Sequence, residues 1–98
     1  MYARVIINRV RPGMEEEASN SVRAGMAANQ QQPGYRGQYY LLEAETNRSI
    51  LITLWEEDPS PHTFHPDYQQ RMDNAVRVLA ESVVPRIYQV IAAQEQPS

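Results

Sequence analysis

The sequence contains no cysteine and no lysine, and only one tryptophan, one phenylalanine and four glycines. Without cysteine the chain forms no disulfide and holds neither a thiolate zinc site nor an iron–sulfur cluster. No apolar stretch approaches the roughly 20 residues that a membrane-spanning helix needs. We therefore expect no membrane partner.

The charge balance is mildly acidic, with a formal net charge of -3 in 98 residues. This argues against a nucleic-acid partner, which usually requires a basic surface. Polar residues from Asn8 onward interrupt the first apolar segment, so the N-terminal pattern is not that of a secretory signal. We expect a cytoplasmic protein with a single domain over residues 1–94 and a frayed tail over residues 95–98.

Hydrophobic periodicity and turn signals divide the chain into six elements. The predicted order is βαββαβ, an α+β class and the ferredoxin-like arrangement of a four-stranded antiparallel sheet with two helices on one face. The strands are predicted over residues 2–11, 35–45, 49–56 and 86–93, and the helices over residues 14–29 and 66–84.

The second helix carries the strongest apolar pattern in the chain. It begins at Pro66, which suits the first position of a helix, and Pro85 ends it. The proline-rich stretch before it, residues 58–66, is predicted as a loop with at most one helical turn. The apolar face of the helix consists of Tyr68, Met72, Ala75, Val76, Leu79 and Val83.

The predicted sheet is apolar on both faces, whereas a sheet with one solvated face alternates apolar and polar residues. Two helices cover only one face, so the other should bind a second copy of the chain around a two-fold axis. We expect a homodimer through the face that consists of Val5, Ile7, Ile50, Ile52 and Leu54. Only one of Tyr39 and Tyr40 can face the helices, and the sequence leaves open which one.

Three segments then suggest a family: VRPGMEEE (residues 10–17), QPGYRGQYYL (residues 32–41) and ILITLWEE (residues 50–57). With the element order, they resemble the antibiotic biosynthesis monooxygenase family of dimeric α+β barrels. The resemblance implies a small pocket between helices and sheet in each subunit, usually without flavin or metal. It also implies oxidation of phenolic or polycyclic aromatic substrates to quinones, or, in a second branch, heme binding and degradation.

Four residues are candidates for the chemistry. Asn8 interrupts an apolar strand face and either orients a substrate oxygen or satisfies nearby backbone, since a buried amide needs a partner. Trp55 should point toward the helices, either filling the core or walling the pocket. His62 and His65 are candidate general bases, although such loop histidines are more often solvated.

The two histidines and their neighbours provide too few ligands for a metal, so we expect no metal site. The order of Asn8, Trp55 and His65 matches that of the heme-degrading branch. However, His65 precedes Pro66, and a residue before proline is disfavoured in a helix.

Three functions stay open at this point. The first is a cofactor-independent monooxygenase that acts on a small aromatic or hydrophobic ligand. The second is a heme-binding or heme-degrading protein with His65 as ligand. The third is a non-catalytic dimeric module that binds a small ligand.

Overall fold

The computed structural model describes residues 1–75, 78–80 and 84–96. It contains the predicted βαββαβ order with one additional helical turn, α2, in the proline-rich stretch. None of the helices in these ranges is long and apolar enough to cross a membrane. The elements are β1 (Tyr2–Arg9), α1 (Glu15–Asn29), β2 (Tyr35–Glu43), β3 (Arg48–Trp55), α2 (Ser60–Thr63), α3 (Pro66–Ala75) and β4 (Arg86–Gln89).

The four strands form one antiparallel sheet in the order β2-β3-β1-β4, with the helices on one side. The predicted α+β, ferredoxin-like architecture is therefore confirmed. The hairpin between β2 and β3 turns at Asn47, whose φ of 58° lies in the left-handed region that asparagine tolerates better than most residues. In the central pair, Asn8 lies opposite Ser49 and Tyr2 lies opposite Trp55.

The two faces of the sheet differ in the way that the two-residue period predicts. Side chains of even-numbered β1 residues and odd-numbered β3 residues are covered, for example those of Ile6 and Thr53. On the opposite face, Ile7 stays 48% exposed in the single chain. Register also settles the tyrosine pair, because Tyr40 lies opposite Leu51 and so faces the helices.

The predicted second helix is too long. α3 ends at Ala75, and Leu79 instead forms an isolated antiparallel bridge with Val10 beyond the end of β1. Two backbone hydrogen bonds hold this segment: Arg11 N donates to Val78 O at 3.0 Å, and Ala80 N donates to Arg9 O at 2.8 Å. Leu79 is buried as the apolar pattern required, but in an extended segment. Val76 and Val83 lie outside the described residues.

The last strand is also shorter than predicted. β4 ends at Gln89, which lies opposite Tyr2, the first residue of β1. Beyond that point the Met1 carbonyl accepts one more hydrogen bond, from Val90 N at 2.8 Å. Of the predicted frayed tail, residues 97 and 98 lie outside the described ranges.

Candidate functional site

A cavity of about 280 Å³ lies between the helices and the covered face of the sheet. Pockets for small ligands begin at about 300 Å³, so this one is at the small end of that range and suits a small ligand. Most of its surface is apolar, contributed by Ile6, Val22, Leu51, Met72, Val78 and Leu79. The polar side chains in its wall include Asn8, Asn29, Tyr40, Ser49, Tyr68 and Arg71.

Asn8 lies in the cavity wall and is only 4% exposed. Its Oδ1 accepts a hydrogen bond from Arg9 N at 2.7 Å, which fixes the orientation of the amide. Its Nδ2 is buried and has no hydrogen-bond partner among the described residues. A buried donor without a partner costs about 1–3 kcal/mol. The cavity wall therefore contains an amide whose buried donor is unused.

Arg4 was not among the predicted candidates, yet it is the most unusual buried residue, with a side chain only 1% exposed. Its Nη1 donates to Thr63 Oγ1 at 2.9 Å and its Nη2 donates to Asn29 Oδ1 at 3.0 Å. Its guanidinium carbon lies 4.3 Å from the ring centroid of Tyr68 and 5.0 Å from that of Trp55.

The sequence did contain a signal for Arg4. In β1 the residues with even numbers face the helices, and Arg4 falls between Tyr2 and Ile6 in that series. Arginine is normally exposed, so its place in this series does not by itself indicate burial. Burial lowers the pKa of Arg4, but a guanidinium remains charged at neutral pH.

Trp55 points to the helix side of the sheet and is 1% exposed. It packs edge-to-face against Tyr35, with ring centroids 6.0 Å apart, and lies 4.6 Å from the ring of His62. It is not part of the cavity wall; it lies behind it, in contact with Arg4. Its Nε1 is a second buried donor without a partner among the described residues.

The two histidines lie in different surroundings. His62 is half-buried, and its pKa is lowered first by burial and then by the positive charges of Arg4 and Arg71. The imidazole is therefore neutral at neutral pH. His65 is exposed, and its Nδ1 accepts a hydrogen bond from Asp67 N at 3.2 Å. Neither histidine lines the cavity, so their roles as bases stay predictions.

The residues present do not fit a heme site. A heme ligand needs an imidazole nitrogen directed into the pocket, and His65 instead lies on the surface with Nδ1 engaged by backbone. Within the described ranges, no three His, Cys, Asp or Glu side chains come close enough to hold a metal ion.

Tyr68 and Arg71 complete the polar part of the cavity wall. They lie three residues apart on α3, so they share a face, and the Arg71 guanidinium carbon lies 5.4 Å from the Tyr68 ring centroid. Burial raises the pKa of the Tyr68 phenol, while Arg4 and Arg71 act in the opposite direction. The cavity wall thus contains a neutral phenol in contact with two cations, Arg71 in the wall and Arg4 behind it, and no carboxylate among its described residues.

No protein-family model and no curated protein matches this sequence. Solved structures do match over nearly the whole chain. A Deinococcus radiodurans protein named as an antibiotic biosynthesis monooxygenase has a TM-score of 0.79 at 11% identity, with 100% of each chain covered. A variant of SnoaB, a cofactor-independent oxygenase from Streptomyces nogalater, has a TM-score of 0.79 at 14% identity, with 97% of each chain covered.

A Nitrosomonas europaea protein also named as an antibiotic biosynthesis monooxygenase has a TM-score of 0.75 at 19% identity. The match covers 94% of this chain and 100% of that one. The chain therefore has the fold of the antibiotic biosynthesis monooxygenase structures. At such low identity the likeness extends to the fold alone, because one fold hosts many functions.

Proposed function

We propose that the protein is a cofactor-independent oxygenase that oxidises a small, electron-rich aromatic such as an anthrone or a phenol. The observation that carries the proposal is the free Nδ2 donor of Asn8 in the wall of an apolar cavity. An oxyanion that forms on the substrate would accept a hydrogen bond from this amide. Preorganised donors of this kind stabilise developing negative charge at little reorganisation cost.

For an anthrone the reaction balances without a cofactor. The CH₂ opposite the carbonyl in the central ring loses a proton, giving an enolate, conjugated through the aromatic rings, that is rich in electrons and reduces dioxygen. One oxygen atom becomes the new carbonyl oxygen of the quinone and the other leaves as water, so that R₂CH₂ and O₂ yield R₂CO and H₂O. Asn8 would hold the enolate oxygen, and the apolar wall would exclude water from the reacting carbon.

The reaction needs a base that removes the substrate proton. The described residues of the cavity wall include no histidine and no carboxylate. His62 or His65 would have to act from outside this wall, and His62 is the better candidate because it is neutral and half-buried, whereas His65 is exposed. The proposal therefore favours substrates that ionise readily.

The test is oxygen consumption above the protein-free rate with anthrone or 1-naphthol as substrate, both of which gain one oxygen atom, with the quinone product followed by absorbance. We expect Asn8→Ala to lower turnover about a hundredfold, the usual effect of removing one oxyanion donor. Ser21→Ala removes another polar group from the cavity wall and serves as the matched control. Equal rates for Asn8→Ala and the wild type on a turned-over substrate would remove Asn8 from the mechanism. If no phenol or anthrone is consumed, the protein is a ligand-binding module instead.

We further propose that the working unit is a homodimer through the uncovered face of the sheet. Large side chains on this face stay about half exposed in the single chain: Ile7 at 48%, Tyr39 at 62%, Leu41 at 47% and Tyr88 at 50%. They lie on β2, β1 and β4, and the half-buried Ile50 and Ile52 of β3 fill the space between β2 and β1 on the same face. Contiguous apolar surface on a sheet usually marks an interaction site.

A further inference from the structure

Within the part of the chain that the structure describes, the Arg4 guanidinium is a buried cation without a carboxylate partner. Among the described residues no Asp or Glu oxygen lies within 4.0 Å of it, whereas Arg36, an arginine of the same sheet, pairs with Glu56 at 3.0 Å. Its Nε has no hydrogen-bond partner at all in that part of the chain. Buried charges are normally paired, because transferring an ion out of water is expensive.

The groups that do surround Arg4 compensate for this cost only in part. Thr63 and Asn29 provide one neutral acceptor each. The faces of Trp55 and Tyr68 provide two cation–π contacts, which are worth more in a desolvated site. None of these groups carries a negative charge, so the net charge of the cluster stays positive.

This cluster lies directly behind the cavity. Asn29 and Tyr68 both contact Arg4 and both form part of the cavity wall, so a single layer of side chains separates the guanidinium from the space a ligand would fill. Arg71 adds a second positive charge in the wall itself. The difference between the two is exposure: Arg71 is exposed to solvent and Arg4 is not.

We propose that Arg4 makes the cavity selective for aromatic ligands that carry a negative charge, so that the buried cation meets its counter-charge in the ligand. The inference depends on the proposed function only in placing the ligand in this cavity. The chemical class is an aromatic anion, such as an enolate, a phenolate or a carboxylate. Arg4 is thus a specificity-determining residue that acts across the Asn29 and Tyr68 layer.

Binding is tested with two probes of the same shape, naphthalene-2-carboxylate and the neutral naphthalene-2-carboxamide, by isothermal titration calorimetry. We expect the wild type to bind the carboxylate at least about tenfold more tightly, since unit charges across one side-chain layer interact strongly in a partly desolvated site. Arg4→Met should remove most of that ratio, chiefly by weakening the binding of the carboxylate. Arg4→Lys should retain it, because it retains the charge.

Two further variants separate Arg4 from the other cations. Arg36→Gln makes the same change of charge outside the cavity wall and should leave the ratio unchanged. Arg71→Gln should lower the ratio of carboxylate to carboxamide affinity less than Arg4→Met does. The contribution of Arg71 to this ratio should vanish in about 0.5 M NaCl, because salt screens exposed charges far more than buried ones.

If Arg4→Met does not fold, the affinities of the wild type for the two probes in about 0.5 M NaCl replace that measurement. A carboxylate preference that persists in about 0.5 M NaCl supports the buried charge, and one that disappears overturns it. Equal affinity of the wild type for both probes also overturns the proposal, as does a ratio that Arg71→Gln abolishes and Arg4→Met preserves. A selective protein that consumes no oxygen with any anthrone or phenol would refute the oxygenase function alone.

Discussion

The uncovered face of the sheet allows a quantitative prediction about assembly. Ile7 lies near the middle of β1, and its side chain is 48% exposed in the single chain. Fully burying such a side chain stabilises by about 1.5–3 kcal/mol, so covering the exposed half contributes about 1 kcal/mol per copy. In a two-fold dimer the residue is buried twice, for a total of about 2 kcal/mol.

Ile7→Glu should dissociate the dimer. The variant loses that apolar contribution and also buries a carboxylate without a partner, which adds at least about 1 kcal/mol per copy. The total is at least about 4 kcal/mol, which corresponds to about a thousandfold weaker association. Sedimentation velocity at micromolar concentration should show a dimer for the wild type and a monomer for the variant.

The matched control is Leu42→Glu. Leu42 is 44% exposed, similar to Ile7, but it lies opposite Ser49 and so belongs to the helix side of the sheet. The same substitution there should leave the dimer intact. A wild-type protein that sediments as a monomer, or an Ile7→Glu variant that dimerises like the wild type, would refute the assignment of this face.

Two further predictions concern the cluster around Arg4. Burial, and then the charge of Arg4, give His62 a lower pKa in the folded protein than in the unfolded chain, where it is about 6.5. Above that pH the histidine is neutral in both states and does not change the free energy of unfolding. As the pH falls below it, the unfolded chain takes up the proton first, so the free energy of unfolding decreases. Urea denaturation at about pH 7.5 and about pH 5 should therefore show a smaller loss on acidification for His62→Gln than for the wild type, and an equal loss would contradict the assigned burial. Thr63→Val removes one of the two acceptors of a buried charge and should lower the free energy of unfolding by about 1.5–3 kcal/mol, whereas Thr63→Ser keeps the hydroxyl and most of the stability. Thr63→Val with wild-type stability in urea would show that the hydroxyl does not hold the guanidinium.

The strands were predictable because their side chains alternate with a period of two residues. That period placed Asn8 and Trp55 on the helix side of the sheet, and both are buried there. It could not distinguish a helix from an extended segment at Leu79, because a few apolar residues satisfy either geometry. Leu79 is held in its conformation by the bridge to Val10, which is nearly 70 positions away in the chain. A pattern of neighbouring residues does not contain information about so distant a partner.

The site was less predictable than the fold, for a related reason. Asn8 was noticeable as a polar residue among apolar ones, and it does line the cavity. Arg4 was inconspicuous, because an arginine in a strand normally reaches solvent. Its burial depends on Thr63 and Asn29, which approach from two separate helices. The cluster therefore exists only after the chain has folded.

The attachment of Val78 and Leu79 to the end of β1 has a consequence for how fast a ligand exchanges. These two residues form part of the cavity wall, and backbone hydrogen bonds to Arg9 and Arg11 hold the segment in place. Displacing it requires breaking those bonds together, a local unfolding event and not a side-chain rotation. On this side of the cavity, the residence time of a ligand would depend on the stability of these backbone hydrogen bonds. That stability can change without altering any atom that contacts the ligand.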